Sequence, residues 1–213
     1  MGERANRWLG NAKQMRHVLI FVSIYLVLFV LSGGSAVNWI TAAYSAVPFS
    51  LVLTAFLHFG FFHLLSNVYC MLVFGWFLCN SMSERKARGV TLPLLFAVAS
   101  VVTGILPYYL QPGAYTAGAS GTVYALEAYV FIMAFAGGSD PLSLRLRQQK
   151  RWLIINAVIS VLWFLNPEVS FYGHFTGALV GIAVGFIDLR RRKRIKAIND
   201  RNRQANSPRG SAN

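Results

Sequence analysis

Residues 173–194 read Gly173-His174-Phe175-Thr176-Gly177-Ala178-Leu179-Val180-Gly181-Ile182-Ala183-Val184-Gly185-Phe186-Ile187-Asp188-Leu189-Arg190-Arg191-Arg192-Lys193-Arg194. An apolar run over 174–189 is halted there by a block of consecutive cations. Crossing roughly 30 Å of hydrocarbon takes about 20 helical residues, so the run with its flanks predicts a membrane-spanning helix whose cytoplasmic end the cations mark. Directly after a span, such a block anchors the helix and meets anionic lipid; it is not read as a nucleic-acid site. Glycine recurs at 173, 177, 181 and 185. That spacing leaves a flat stripe on which another helix backbone can approach closely.

Outward from this stretch the chain keeps the same character. Of its 213 residues, 55% are hydrophobic and 13% charged, with a mean hydropathy of +0.49, which leaves too little polar surface for a soluble globule of this size. Further apolar runs lie near 18–32, 51–79, 91–109, 120–137 and 152–166, the last needing its flanks to span. The expected fold class is therefore an all-α polytopic membrane protein, a six-helix transmembrane bundle.

The charges test that topology independently. All 20 Lys and Arg fall in the N-terminal segment (Arg4, Arg7, Lys13, Arg16), after the second run (Arg85, Lys86, Arg88), after the fourth (Arg145, Arg147, Lys150, Arg151) or from Arg190 onward. Six spans with both termini cytoplasmic put every cation inside, whereas an odd number would break the alternation. The first run is too long, and too poorly followed by a small-residue cleavage pattern, for a signal peptide, so it is read as retained. The expected division is a basic cytoplasmic segment at 1–17, a six-helix membrane domain at 18–189, and a basic, disordered cytoplasmic tail at 190–213. The expected location is the plasma membrane, multi-pass, with the site facing outward.

Polar residues in such a chain are costly, so their positions carry information. Ser120 lies in Gly118-Ala119-Ser120-Gly121, where an uncharged loop turns into an apolar helix, and His174 opens the sixth run. The second, fourth and sixth runs all pass from outside to inside, which places Ser120 and His174 at similar shallow depth. His63 and Asn67, four residues apart and so on one helix face, stand at the same level on the second run. The chemistry this permits is acyl transfer: Ser120 attacks and His174, with an unperturbed pKa of about 6.5, shuttles the proton. His63, Asn67 and the Ser120 backbone N–H supply oxyanion donors. No Asp or Glu stands at that depth, which favours a Ser-His dyad over a triad. Tyr124, one turn after Ser120, can stack on the imidazole and fix its plane.

This set resembles the rhomboid intramembrane serine proteases. The resemblance covers roughly residues 50–189 and rests on ordered motifs: H-x4-H-x3-N at His58, His63 and Asn67; G-x-S-G-x-x-Y from Gly118 through Gly121 to Tyr124; and H-x2-G-x3-G at His174, Gly177 and Gly181. It implies a six-helix rhomboid bundle, a water-filled cavity open to the outside, and cleavage of single-pass transmembrane substrates near their outer ends. The chain departs from the family's usual Trp-Arg pair in the first outer loop, where 33–57 offers Trp39 and no arginine.

Substrates are expected to carry helix-breaking Gly or Pro and a small residue before the cut, because a helical backbone hides its scissile carbonyl. Two alternatives stand beside the protease: a catalytically silent rhomboid-like protein that binds membrane clients, and a small transporter, which would need inverted repeats or charges along a path. No cofactor or metal is expected, since no Cys/His group has ligand spacing.

The remaining polar residues read more plainly. Glu127, seven residues into its run and about 10 Å below Ser120, is too deep to orient His174; it is read either as a protonated or hydrogen-bonded structural group or as a functional one, such as a holder of water. His58 reads as a structural hydrogen-bonder and His17 as interfacial. Cys70 and Cys79 are too far apart on one helix for a disulfide. The aromatic, uncharged 33–57 stretch suits the membrane interface, the 110–117 segment a short connection dipping toward the site, and Glu84-Arg85 a tie between the second run and neighbouring helix ends.

Overall fold

The computed structural model describes residues 2–46, 48–81, 91–164 and 170–205. The described residues form helices joined by turns, with no strand among them: α1 (Gly2–Leu31), α2 (Val37–Ser45), α3 (Leu51–Thr54), α4 (Phe61–Ser81), α5 (Thr91–Leu110), α6 (Ser120–Phe135), α7 (Pro141–Gln148), α8 (Lys150–Phe164) and α9 (Phe171–Ala205). Phe61–Ser81, Leu92–Leu110 and Phe171–Gln204 are long and apolar enough to cross a membrane; Met15–Leu31 and Ser120–Phe135 are apolar but shorter.

The second expected span is not one helix. The 51–79 run breaks after α3, and α4 begins only at Phe61. Between them the backbone is held from outside: the Ala36 N–H donates to the His58 carbonyl at 3.0 Å and the Ser35 hydroxyl to the Phe59 carbonyl at 2.9 Å. Outside a helical ladder, the carbonyls of the broken stretch thus find partners across the fold. At the other end, the expected disorder from residue 190 gives way to helix through Ala205. No Gly or Pro interrupts 186–205, the Arg and Lys there are good helix formers, and Arg192 pairs with Asp188 at 2.9 Å one turn back. The turn after α6 also contains a helix that hydropathy does not reveal. Asp140 caps α7 by accepting the Leu142 N–H at 2.9 Å, with Pro141 in the first turn. The Glu84-Arg85 tie and residues 206–213 of the expected tail lie outside the described residues.

The core sits where α1, α4, α5 and α6 meet. Val18 and Tyr25, Met71 and Phe74, Leu95 and Phe96, Leu126 and Tyr129 are fully buried there. α9 lies along α6 and also contacts α5. In hydrocarbon, helices gain little from burying apolar surface, so close packing of backbones has to hold the pair. Gly177 and Gly181 allow it: a Cβ on either would run into the carbonyl of Gly121 or Ala125. Gly185 faces the Ile132 side chain farther along. Successive positions of α9 meet successive positions of α6, so the two helices run parallel.

α8 is attached differently. Ile155, Val158, Ile159 and Leu162 are exposed, and a groove of about 410 Å³ lined by Tyr69, Val73, Trp76, Phe77, Trp152 and Asn156 separates it from α4.

Candidate functional site

Ser120 is the first residue of α6 and half-buried. The N–H groups of a helix's first turn have no partner inside the helix, so its backbone donors point out past Ser120. Gly121, next to it, is the residue on which Gly177 of α9 rests, and His174 lies one turn before Gly177. Parallel packing thus brings Ser120 and His174 to the same end of the α6–α9 pair. His174 is buried, and its ring stacks on Tyr124 with centroids 4.3 Å apart and 20° between planes.

His63 and Asn67 share the α4 face turned toward the loop that precedes Ser120. A Cβ on Gly118 would lie 2.6 Å from the His63 ring and 3.5 Å from Asn67 Nδ2. Gly118 has φ +117°, a backbone that side chains rarely adopt. Glycine therefore meets two demands at once, the turn into α6 and the nearness of the histidine. Asn67 is buried with Nδ2 lacking any hydrogen-bond partner. A buried amide donor left unsatisfied is costly unless something arrives to accept from it.

The loop is pinned from three sides. The Gly118 N–H donates to the Thr54 carbonyl at 2.8 Å. The Tyr44 hydroxyl accepts the Thr116 N–H at 2.7 Å and pairs with Thr116 Oγ1 at 2.8 Å. The Ala119 N–H points at His58 Nε2, 3.4 Å away. His58 therefore holds the backbone beside Ser120, while its ring packs edge-on against His63 and Tyr25. A small cavity adjoins Ser120, with Thr54, Thr103, Gly118, Gly121, Ser170 and Gly173 among its walls.

Tyr44, Thr54 and Ser160, whose carbonyl accepts the Tyr124 hydroxyl at 2.6 Å, escaped the sequence reading. Two of them act through backbone carbonyls, which leave no trace in residue type, and the Tyr44 contact joins positions 72 residues apart. The uncharged, aromatic make-up of the 33–57 stretch points only to the membrane interface.

Gathered at one end of three helices are a hydroxyl on a helix start, an imidazole with a stacked ring, and amide and imidazole donors over the preceding loop. The combination suits nucleophilic attack on a carbonyl with stabilisation of the resulting oxyanion. Comparison with known proteins reaches the same region. The Rhomboid domain family matches residues 43–191. The chain is similar to the rhomboid protease GlpG of Salmonella newport (strain SL254), at 30% identity over 194 aligned residues covering 83% of this chain and 63% of that protein. The rhomboid protease GlpG of Salmonella typhi matches at the same 30% identity and coverage. The chain thus spans 63% of the length of these curated relatives.

Proposed function

The chain belongs to the rhomboid family, and from that membership we propose that it is an intramembrane serine endopeptidase cleaving single-pass transmembrane proteins. Ser120 Oγ attacks the scissile carbonyl carbon as His174 takes its proton. The oxyanion accepts hydrogen bonds from Asn67 Nδ2, His63 and the Ser120 N–H. The C–N bond then breaks, His174 returns the proton to the leaving amine, and water releases the acyl group by the reverse route. Tyr124 fixes the imidazole plane, and Gly118, Gly121, Gly177 and Gly181 permit the close approaches the site needs.

The observation that carries this reading is the glycine-to-backbone contact of Gly177 with Gly121, which brings the ends bearing Ser120 and His174 together. The partnerless Asn67 donor supports it from the other side.

The membrane placement belongs to the same proposal: six spans, both termini cytoplasmic, the site open to the outer side of the plasma membrane, and the basic ends on anionic lipid. Substrates would need a weakened helix and a small residue before the cut.

The test is cleavage of a model single-pass substrate in proteoliposomes by the purified protein and by Ser120→Ala and His174→Ala. Loss of cleavage in both folded variants is expected. Cleavage by all three would point to another nucleophile, and cleavage by none across several substrates would favour a client-binding protein that lacks activity.

A further inference from the structure

The groove beside α8 follows α4 from Tyr69 to Phe77, about 12 Å of helix. Tyr69 is itself about 12 Å along α4 from Phe61, so the groove occupies the half of the molecule remote from Ser120. Trp152, in the first turn of α8, and Met15 of α1 line it as well. Its far end is held in place. The Gln149 amide donates to Ser81 Oγ at 2.9 Å and the Arg145 guanidinium to the Ser81 carbonyl at 3.4 Å. Ser81 ends α4, so these bonds seat the start of α8 against it.

The walls are apolar. Leu72, Val73, Trp76 and Phe77 come from α4. Asn156 of α8 turns its amide back onto its own helix, donating to the Trp152 carbonyl at 2.8 Å. The volume of about 410 Å³ is that of a small-molecule site. A helix about 10 Å across would displace roughly twice as much over the same length, so the space suits a hydrocarbon chain and not another helix.

Charge gathers at the mouth. Arg16 follows Met15, and Lys150 and Arg151 precede Trp152, all three exposed. α4 and α8 contain no acid and α1 only Glu3 at its start, so the three walls offer nothing to offset these cations. Trp76 and Trp152 are of the residue type that collects at headgroup level. In a bilayer an apolar groove is filled by an acyl chain of some lipid. Cations clustered at its mouth select the headgroup, as in basic pockets between helices on the cytoplasmic side.

We propose that this groove is a binding site for one anionic phospholipid, with an acyl chain along Leu72, Val73 and Phe77 and the phosphate on Arg16, Lys150 and Arg151. Seated there, the lipid braces α8 against α1 and α4. The inference rests on the inner-face placement of the basic residues proposed above, and it gives them a defined site in place of a diffuse attraction.

The experiment counts lipids on the purified full chain by native mass spectrometry, in detergent micelles carrying either dioleoyl phosphatidylglycerol or dioleoyl phosphatidylcholine. One phosphatidylglycerol per chain is expected to survive release from the micelle, and phosphatidylcholine is not. Arg16→Gln with Arg151→Gln should weaken retention about 25-fold, about fivefold for each cation. Arg201→Gln with Arg203→Gln removes the same charge from the exposed end of α9 and should leave retention within about twofold. Val73→Trp puts an indole into the groove and should abolish retention with every cation in place. Phosphatidylglycerol should also raise the unfolding midpoint of the unaltered protein and not that of Val73→Trp, because the lipid binds the folded chain. Should Val73→Trp fail to fold, glycerophosphoglycerol, the headgroup without chains, tests the same point: an excess should not displace the lipid.

Equal retention of the two lipids overturns the proposal, as does equal weakening by the Arg201 and Arg203 pair. Unchanged retention in folded Val73→Trp overturns it too, and so does displacement by glycerophosphoglycerol. Retention in detergent does not depend on which face is cytoplasmic. If it holds while Gln148→Cys is labelled from outside intact cells, the site stands, and the leaflet assigned to it falls with the membrane orientation.

Discussion

At the scale of single residues, the site is built from exceptions to ordinary preference. Asn67 is buried in an apolar helix with an unsatisfied donor, an arrangement that native proteins avoid unless a ligand or an intermediate completes it. Asn67→Ala should therefore leave KM near its original value and lower kcat about 100- to 1,000-fold, the usual cost of losing one oxyanion donor. A parallel fall in folded protein, read by thermal unfolding in detergent, would instead assign Asn67 to structure. Gly118 is a second exception. With φ +117° and the His63 ring at 2.6 Å from any Cβ, Gly118→Ala meets both backbone strain and a clash. The strain alone is worth about 1–3 kcal/mol, so the variant should unfold at lower temperature. It should also label poorly with a serine-directed phosphonate, because the displaced ring is one of the proposed donors. A normal unfolding midpoint would show that the loop relaxes without cost.

At the scale of the helix, the four-residue glycine spacing reads as one uniform stripe, yet the four positions are not equivalent. Gly177 and Gly181 face backbone that cannot yield, Gly185 faces the β-branched Ile132 side chain, whose Cγ2 and Cβ would lie 2.8 and 2.9 Å from an added Cβ, and Gly173 faces only the Ser170 side chain at 3.1 Å. Gly177→Ala and Gly181→Ala should each destabilise by about 1–3 kcal/mol as α9 is pushed off α6. Gly173→Ala should cost less than either, since only the Ser170 side chain, at 3.1 Å, has to give way. Unfolding midpoints of the three proteins in one detergent would check the order, and equal losses would contradict the parallel α6–α9 register described here. The ends of elements follow similar local logic. α7 could have been read from Asp140-Pro141, a cap followed by a first-turn proline. The break at 55–60 could not, because it depends on Ser35 and Ala36 reaching across from another part of the chain.

At the scale of the whole molecule, three parallel helices carry the site. α4 meets the start of α6 through His63 and Asn67, and α9 meets it through Gly177, so the site gathers at one end of the bundle. With Cys70 and Cys79 replaced, single cysteines at the exposed positions Gln111, Gln148 and Arg203 would read the orientation. A membrane-impermeant thiol reagent should label Gln111→Cys in intact cells, and Gln148→Cys and Arg203→Cys only after permeabilisation, as the positive-inside rule requires. The reverse pattern would turn the site toward the cytoplasm.

Hydropathy, the placement of the cations and the order of the polar motifs were enough to identify a helical membrane protein, its family and the residues worth suspecting, because each is a property of residue type and spacing. Ser120, His174, His63 and Asn67 stood out because polar groups in apolar runs are few. What the chain order does not encode is which backbone atoms meet. The support of Gly118 by the Thr54 carbonyl, the hold of Tyr44 on Thr116 and the tie of the Tyr124 hydroxyl to the Ser160 carbonyl all join segments distant in sequence through main-chain or single hydroxyl contacts. Every residue has a carbonyl, so only tertiary packing decides which ones hold the site.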